Sequence, residues 1–197
     1  MCIIAYDPKG VKIKDEIIRI MFANNTDWAG FMYKLKGKPI EIRKGFMTVD
    51  DLLEAYHKIP VNVENAVHCR LAASGRISVD CCHHFPVRAD ISDMKKESDS
   101  AEIAVMHNGT IANCTPIEGM ESECSDTVIF TAELLYNLKR VLDSQYVKKN
   151  IMEIIGASRL LIFRKKGRTL MFENWYMKER IFYSENVHAY YFDRYVG

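Results

Sequence analysis

The sequence predicts a single α+β domain over residues 1–197, on three observations. Short apolar, strand-like runs lie toward both ends of the chain, amphipathic helical periods fill its interior, and no linker, repeat or low-complexity tract divides it. Residues 2–7 (CIIAYD) are a continuous apolar run, the pattern of a strand buried on both faces. Residues 15–24 place Ile17, Ile18, Met21 and Phe22 on one helical face. Two strand-like segments, 28–36 and 40–43, flank Gly37-Lys38-Pro39, a hairpin-turn composition. Thr48 is placed to cap a helix reaching Lys58, with Asp50 and Asp51 in the first turn where the helix dipole favours them.

Further on, 64–72 and 102–107 read as strands, with a polar loop expected over 88–100. Ser125 is placed to cap the longest helix, about 126–142, whose apolar stripe is Val128, Ile129, Ala132, Leu135, Leu138 and Val141. A shorter helix is expected near 146–154, and then strands in SRLLIFRK, RTLMFEN, ERIFYS and HAYYFD.

Charge and composition narrow the function. Lys+Arg at 27 against Asp+Glu at 26 leaves a net +1, with no basic cluster of the kind that nucleic acid or a membrane surface requires. The run Arg164-Lys165-Lys166-Gly167-Arg168 reads as a solvated hairpin turn. No stretch approaches the roughly 18 apolar residues of a membrane span, and Asp7 and Pro8 argue against a signal peptide. The six cysteines are accordingly expected as thiols in a reducing cytoplasm.

Four features carry chemistry. A cysteine at position 2 would, after removal of Met1, bear a free α-amine. Such an amine, with a pKa near 8, could serve as base to the thiol at neutral pH, so one residue would supply both nucleophile and base. His107-Asn108-Gly109 ends an apolar strand; the Asn amide and Gly N–H could converge on an oxyanion, or simply make a hairpin turn. Arg70 lies in an apolar strand and must find a carboxylate, from the protein or from a substrate. Asp126 opens the longest helix, as a helix-end charge or as a partner for a cation. Taken together, a fixed cation and a fixed anion suit the two charged ends of an α-amino acid.

In this order the motifs resemble those of the class-II glutamine amidotransferases, a branch of the N-terminal-nucleophile hydrolases. His68-Cys69-Arg70-Leu71-Ala72-Ala73-Ser74-Gly75 is similar to H-T-R-W-A-T-H-G, and Cys81-Cys82-His83-His84-Phe85-Pro86 to N-x-H-P-F-P. His107-Asn108-Gly109-Thr110-Ile111 resembles H-N-G-x-I, and Ser125-Asp126-Thr127 resembles S-D-T. The resemblance implies a four-layer αββα sandwich and a glutaminase that forms a glutamyl-thioester on Cys2. It makes Asn108 and Gly109 the oxyanion hole, Arg70 the anchor of the glutamine carboxylate and Asp126 that of its ammonium, with His83 beside the same pocket. It implies no cofactor.

The departures fall on the pocket-shaping segment. Leu71 stands for Trp, Ala73 for Thr and Ser74 for His, while His84 stands for Pro. The adjacent Cys81-Cys82-His83-His84 could suggest a metal. Successive strand side chains face opposite ways, however, and the C-x-x-C spacing of structural zinc sites is absent, so no metal is predicted. The amidotransferase-like domain accounts for the whole chain, and the ammonia acceptor would then be a separate synthase subunit. A stand-alone hydrolase of a γ-glutamyl amide, or a catalytically silent glutamine-binding module, are the other readings.

Overall fold

The structure is a computed structural model that describes residues 2–71, 84–114 and 125–187. Its elements form two antiparallel sheets and a set of helices. The larger sheet contains β1 (Ile3–Asp7), β2 (Trp28–Lys34), β3 (Ile40–Phe46), β4 (Glu64–Arg70), β6 (Ser98–Ala101), β10 (Tyr176–Lys178) and β11 (Ile181–Tyr183). Its strands run in the order β10-β11-β1-β4-β2-β3-β6. The smaller sheet has the order β5-β7-β8-β9, from β5 (His84–Pro86), β7 (Ile103–Asn108), β8 (Arg159–Arg164) and β9 (Leu170–Phe172).

Alternation along the strands decides what each face meets. Ile3, Phe31 and Val67 point from the larger sheet to helices α1 (Asp15–Asn24) and α2 (Val49–His57), where they join Ile18, Met21, Leu52 and Tyr56 in one buried cluster. Ile4, Met32 and Ala66 point the other way, against Ala104, Met106, Leu161 and Phe163 of the smaller sheet. Tyr6 and Phe163 meet edge-on across this seam, with ring centroids 5.7 Å apart. The outer face of the smaller sheet, through Val105, Leu160 and Ile162, buries Val128 and Leu135 of the long helix and Ile151 and Ile155 of α5 (Gln145–Ile155).

Local chemistry sets the helix ends. The Thr48 hydroxyl accepts from the Asp51 N–H at the start of α2, and the Ser125 hydroxyl from the Val128 N–H at the start of α3 (Asp126–Ile129). That long helix is not uniform: α3 passes into a π-helical stretch, Phe130–Leu135, and ends in α4 (Tyr136–Leu138). It therefore stops four residues short of the expected 142, and Val141, on its predicted apolar stripe, is exposed.

The expected loop over 88–100 instead contains a 3-10 turn, Ser92–Met94, and most of β6. Strand β6 is an edge strand whose ladder with β3 is made by backbone groups, so its sequence, SDSA, needs no apolar alternation. The basic segment 164–168 does link two paired strands, β8 and β9. Arg164 is nonetheless buried, held by Asp143 at 2.8 Å and by the Arg168 carbonyl. The expected strand HAYYFD lies outside the described residues.

Candidate functional site

The register of the larger sheet assembles one side of the site. Trp28 pairs with Arg70, and Ile3 with Cys69. One step beyond Ile3, Cys2 comes opposite Arg70, so Cys2, Arg70 and Trp28 form a row across β1, β4 and β2. By alternation they share the face of Ile4, Ala66 and Met32, which looks toward the smaller sheet.

Cys2 is buried, with its Sγ 3.9 Å from the Leu71 carbonyl oxygen. Burial pushes its thiol above the ordinary range; the Arg70 charge opposes the shift and the Asp126 charge adds to it.

Arg70 is almost fully buried, and its Nε and Nη1 have no hydrogen-bond partner. No carboxylate among the described residues lies within ion-pair distance of it. The structural ion pair that would have explained this arginine is therefore missing from them. The indole Nε1 of Trp28, its cross-strand neighbour, is likewise buried and without an acceptor. Unsatisfied buried donors are rare in folded proteins and each costs about 1–3 kcal/mol, more when charged.

The smaller sheet supplies the other side. Asn108 ends β7, which pairs with β5 and β8, so Asn108-Gly109 is not the turn of a two-residue hairpin. Gly109 has φ 136°, and a Cβ there would run into the Ser158 side chain; the backbone comes this close only because the residue is glycine. The Asn108 Nδ2 donates to Ser184 Oγ at 2.9 Å and to Glu185 Oε1 at 3.2 Å. Ser184 Oγ also accepts from the Ile4 N–H at 2.8 Å, which ties Asn108 to β1 beside Cys2. Ser184 and Glu185 are site residues that sequence reasoning missed, and nothing in a strand-ending Ser-Glu could have marked them.

Asp126 acts first as a staple. Its Oδ2 accepts from the Ile111 N–H at 2.6 Å and its Oδ1 from the Thr127 N–H at 2.7 Å, which fixes the loop after Gly109 to the start of α3. Behind it, His107 Nδ1 lies 2.8 Å from Thr127 Oγ1. Burial holds His107 down at about 4, against the opposing pull of Asp126, so it is neutral at pH 7.

His83 lies outside the described residues, as do Ala73, Ser74, Cys81 and Cys82. His84 packs against His68 between the sheets, ring centroids 4.9 Å apart, and a Cβ at Gly30 would press on its ring. Among the described residues no three His, Cys, Asp or Glu side chains are grouped to hold a metal ion. Among them, too, no helix is long and apolar enough to cross a membrane.

No protein-family model matches the sequence, and no curated protein sequence matches it. Solved structures do. Glutamine phosphoribosylpyrophosphate (PRPP) amidotransferase from B. subtilis, complexed with ADP and GMP, superposes with a TM-score of 0.58 at 16% identity, covering 98% of this chain and 43% of that one. An allosteric regulatory enzyme of purine biosynthesis superposes with a TM-score of 0.52 at 12% identity, covering 93% of this chain and 41% of that one. The chain thus spans less than half the length of either. At such identities the likeness is one of fold, and the fold shared with this chain is that of part of a glutamine amidotransferase, the kind of enzyme its motifs resemble.

Proposed function

We propose that the protein is a glutamine amidohydrolase in which Cys2 is the nucleophile. The observation that carries this reading is the buried Arg70, unpaired among the described residues, one strand from Cys2 and on the face toward the smaller sheet. A guanidinium cannot shed its charge, so a carboxylate-bearing ligand is the natural complement of this position. Glutamine would place its α-carboxylate on Arg70 and its ammonium toward Asp126, leaving the amide to Cys2. His83 is proposed at the rim of the same pocket.

With Met1 removed, the Cys2 α-amine takes the thiol proton and the sulfur attacks the amide carbon. Negative charge then grows on the amide oxygen, which the Asn108 side-chain N–H and the Gly109 backbone N–H would stabilise. The C–N bond breaks, the α-ammonium returns its proton, and ammonia leaves. Water hydrolyses the remaining thioester to glutamate. The ammonia acceptor would be a separate synthase, and the protein cytoplasmic. The three hydrophobic clusters support a four-layer αββα sandwich built as a single domain.

One observation favours a second reading, a silent glutamine-binding module. Both Nδ2 hydrogens of Asn108 are engaged, by Ser184 and Glu185, so an oxyanion could use Asn108 only after displacing one of them. Ammonia release from glutamine separates the readings. The enzyme releases it with Cys2 at a free N-terminus and loses it in Cys2→Ala or when Met1 is retained; a binding module releases none in any form.

A further inference from the structure

Arg70 is not alone in burying N–H groups without an acceptor. Trp28 is 8% exposed and Arg70 3%, and the two are direct cross-strand partners on one face. Side chains so paired start from Cβ atoms about 5 Å apart. Three orphan donors are therefore neighbours: Nε and Nη1 of Arg70 and Nε1 of Trp28. An indole N–H can only donate, as can a guanidinium, so the pair has no way to satisfy itself. Elsewhere in the chain the same group is provided for: the other tryptophan, Trp175, donates its Nε1 to the Phe172 carbonyl at 2.9 Å.

A positive charge beside buried N–H groups calls for an anion with several acceptor sites. A carboxylate offers about four lone pairs in one plane, enough for a fork from Arg70 and one further N–H. A neutral amide or ester offers one carbonyl oxygen and leaves the charge unanswered. We propose that Trp28 is a specificity-determining residue, donating its Nε1–H to the carboxylate that Arg70 holds. The site then selects free α-amino acids over ligands whose α-carboxylate is amidated, esterified or in peptide linkage. The inference rests on the reading of Arg70 as the substrate anchor, and adds to it a residue whose failure can be seen separately.

Equilibrium binding to the full chain carrying Cys2→Ala, which prevents turnover, provides the test. The probes are glutamine and glutamine amidated at its α-carboxylate. Trp28→Phe keeps the aromatic ring and removes only the donor. It should weaken glutamine about tenfold to a hundredfold by calorimetry, the range for a hydrogen bond to a charged group. Affinity for the amidated compound should stay where it was, and so should Tm. Should Trp28→Phe prove unstable, Trp175→Phe leaves Trp28 as the only indole, whose emission should shift with glutamine and not with the amidated compound. Unchanged glutamine affinity in Trp28→Phe overturns the inference while the Arg70 anchor stands. Equal weakening of both ligands, or an emission that ignores glutamine while calorimetry sees it bind, makes Trp28 a packing residue. If the parent chain binds no glutamine at all, the anchor and this inference fall together.

Discussion

The two ends of β1 handle buried polar groups in opposite ways. At its C-terminal end Asp7 is fully buried, and its carboxylate accepts from the backbone N–H groups of Lys9, Gly10 and Lys12 and from the Asn65 side chain. Asn65 in turn accepts from the Tyr56 hydroxyl, which accepts from the Ile13 N–H. Each donor has an acceptor, and the network holds the loop after β1 against α2. At the N-terminal end, a few residues away, Cys2 adjoins Arg70 and Trp28, whose buried N–H groups have none. One sheet thus contains a closed network and an open one. A closed network stabilises the fold by itself; an open one costs stability until a ligand completes it.

The largest effect should come from opening the closed end. Asp7→Ala leaves three backbone N–H groups without their acceptor and removes one of the two acceptors of the Asn65 amide, and should lower stability by roughly 3–5 kcal/mol in chemical denaturation. Glutamine affinity of the fraction that folds should be unaltered. A mild loss, below about 1 kcal/mol, would mean that water replaces the carboxylate and that the contrast between the ends is weaker than drawn.

At the open end Asn108→Ala should cut kcat by about 10²–10³ with little change in KM, since an oxyanion donor acts mainly in the transition state. The variant also frees Ser184 and Glu185, so melting must accompany kinetics. Loss of Tm with kcat intact would make Asn108 a tie between the sheets and nothing more.

Acid should weaken the protein in a defined window. His107 is held at about 4 in the folded state, against an ordinary value of 6.5. Between those values the unfolded chain binds more protons, so stability is fully present above about 6.5 and falls as the pH drops toward 4, by roughly 3 kcal/mol at most. His68, also buried and pushed down, steepens the same window. His107→Gln should flatten the fall in Tm; a slope unchanged in that variant would assign the acid transition to other groups.

Much of this was legible in the sequence, for identifiable reasons. Helix α2 and the N-terminus of α3 follow from Thr48 and Ser125 with their local caps, and β1 and β7 from short apolar runs. Strands β6 and β10 were not, because an edge strand pairs through backbone and leaves no pattern in its side chains. The same division runs through the site. Arg70 announced itself as a charge in an apolar strand, and Asn108-Gly109 by ending another. Trp28 passed as an ordinary strand residue, since only the register of β2 on β4 sets it beside Arg70. Glu185 comes within reach of Asn108 from 77 residues away, through a sheet that no local spacing reveals.

The most direct test of the open end is Arg70→Met, read by melting and glutamine calorimetry on the same preparation. Methionine matches the buried stem and removes a charge that has no partner among the described residues, so Tm should rise, by the equivalent of about 1–2 kcal/mol, while glutamine binding disappears. Higher stability with lost binding is the signature of a residue kept for its ligand. A lower Tm with glutamine affinity unchanged would contradict the account, placing Arg70 in the structure's own network and the substrate elsewhere.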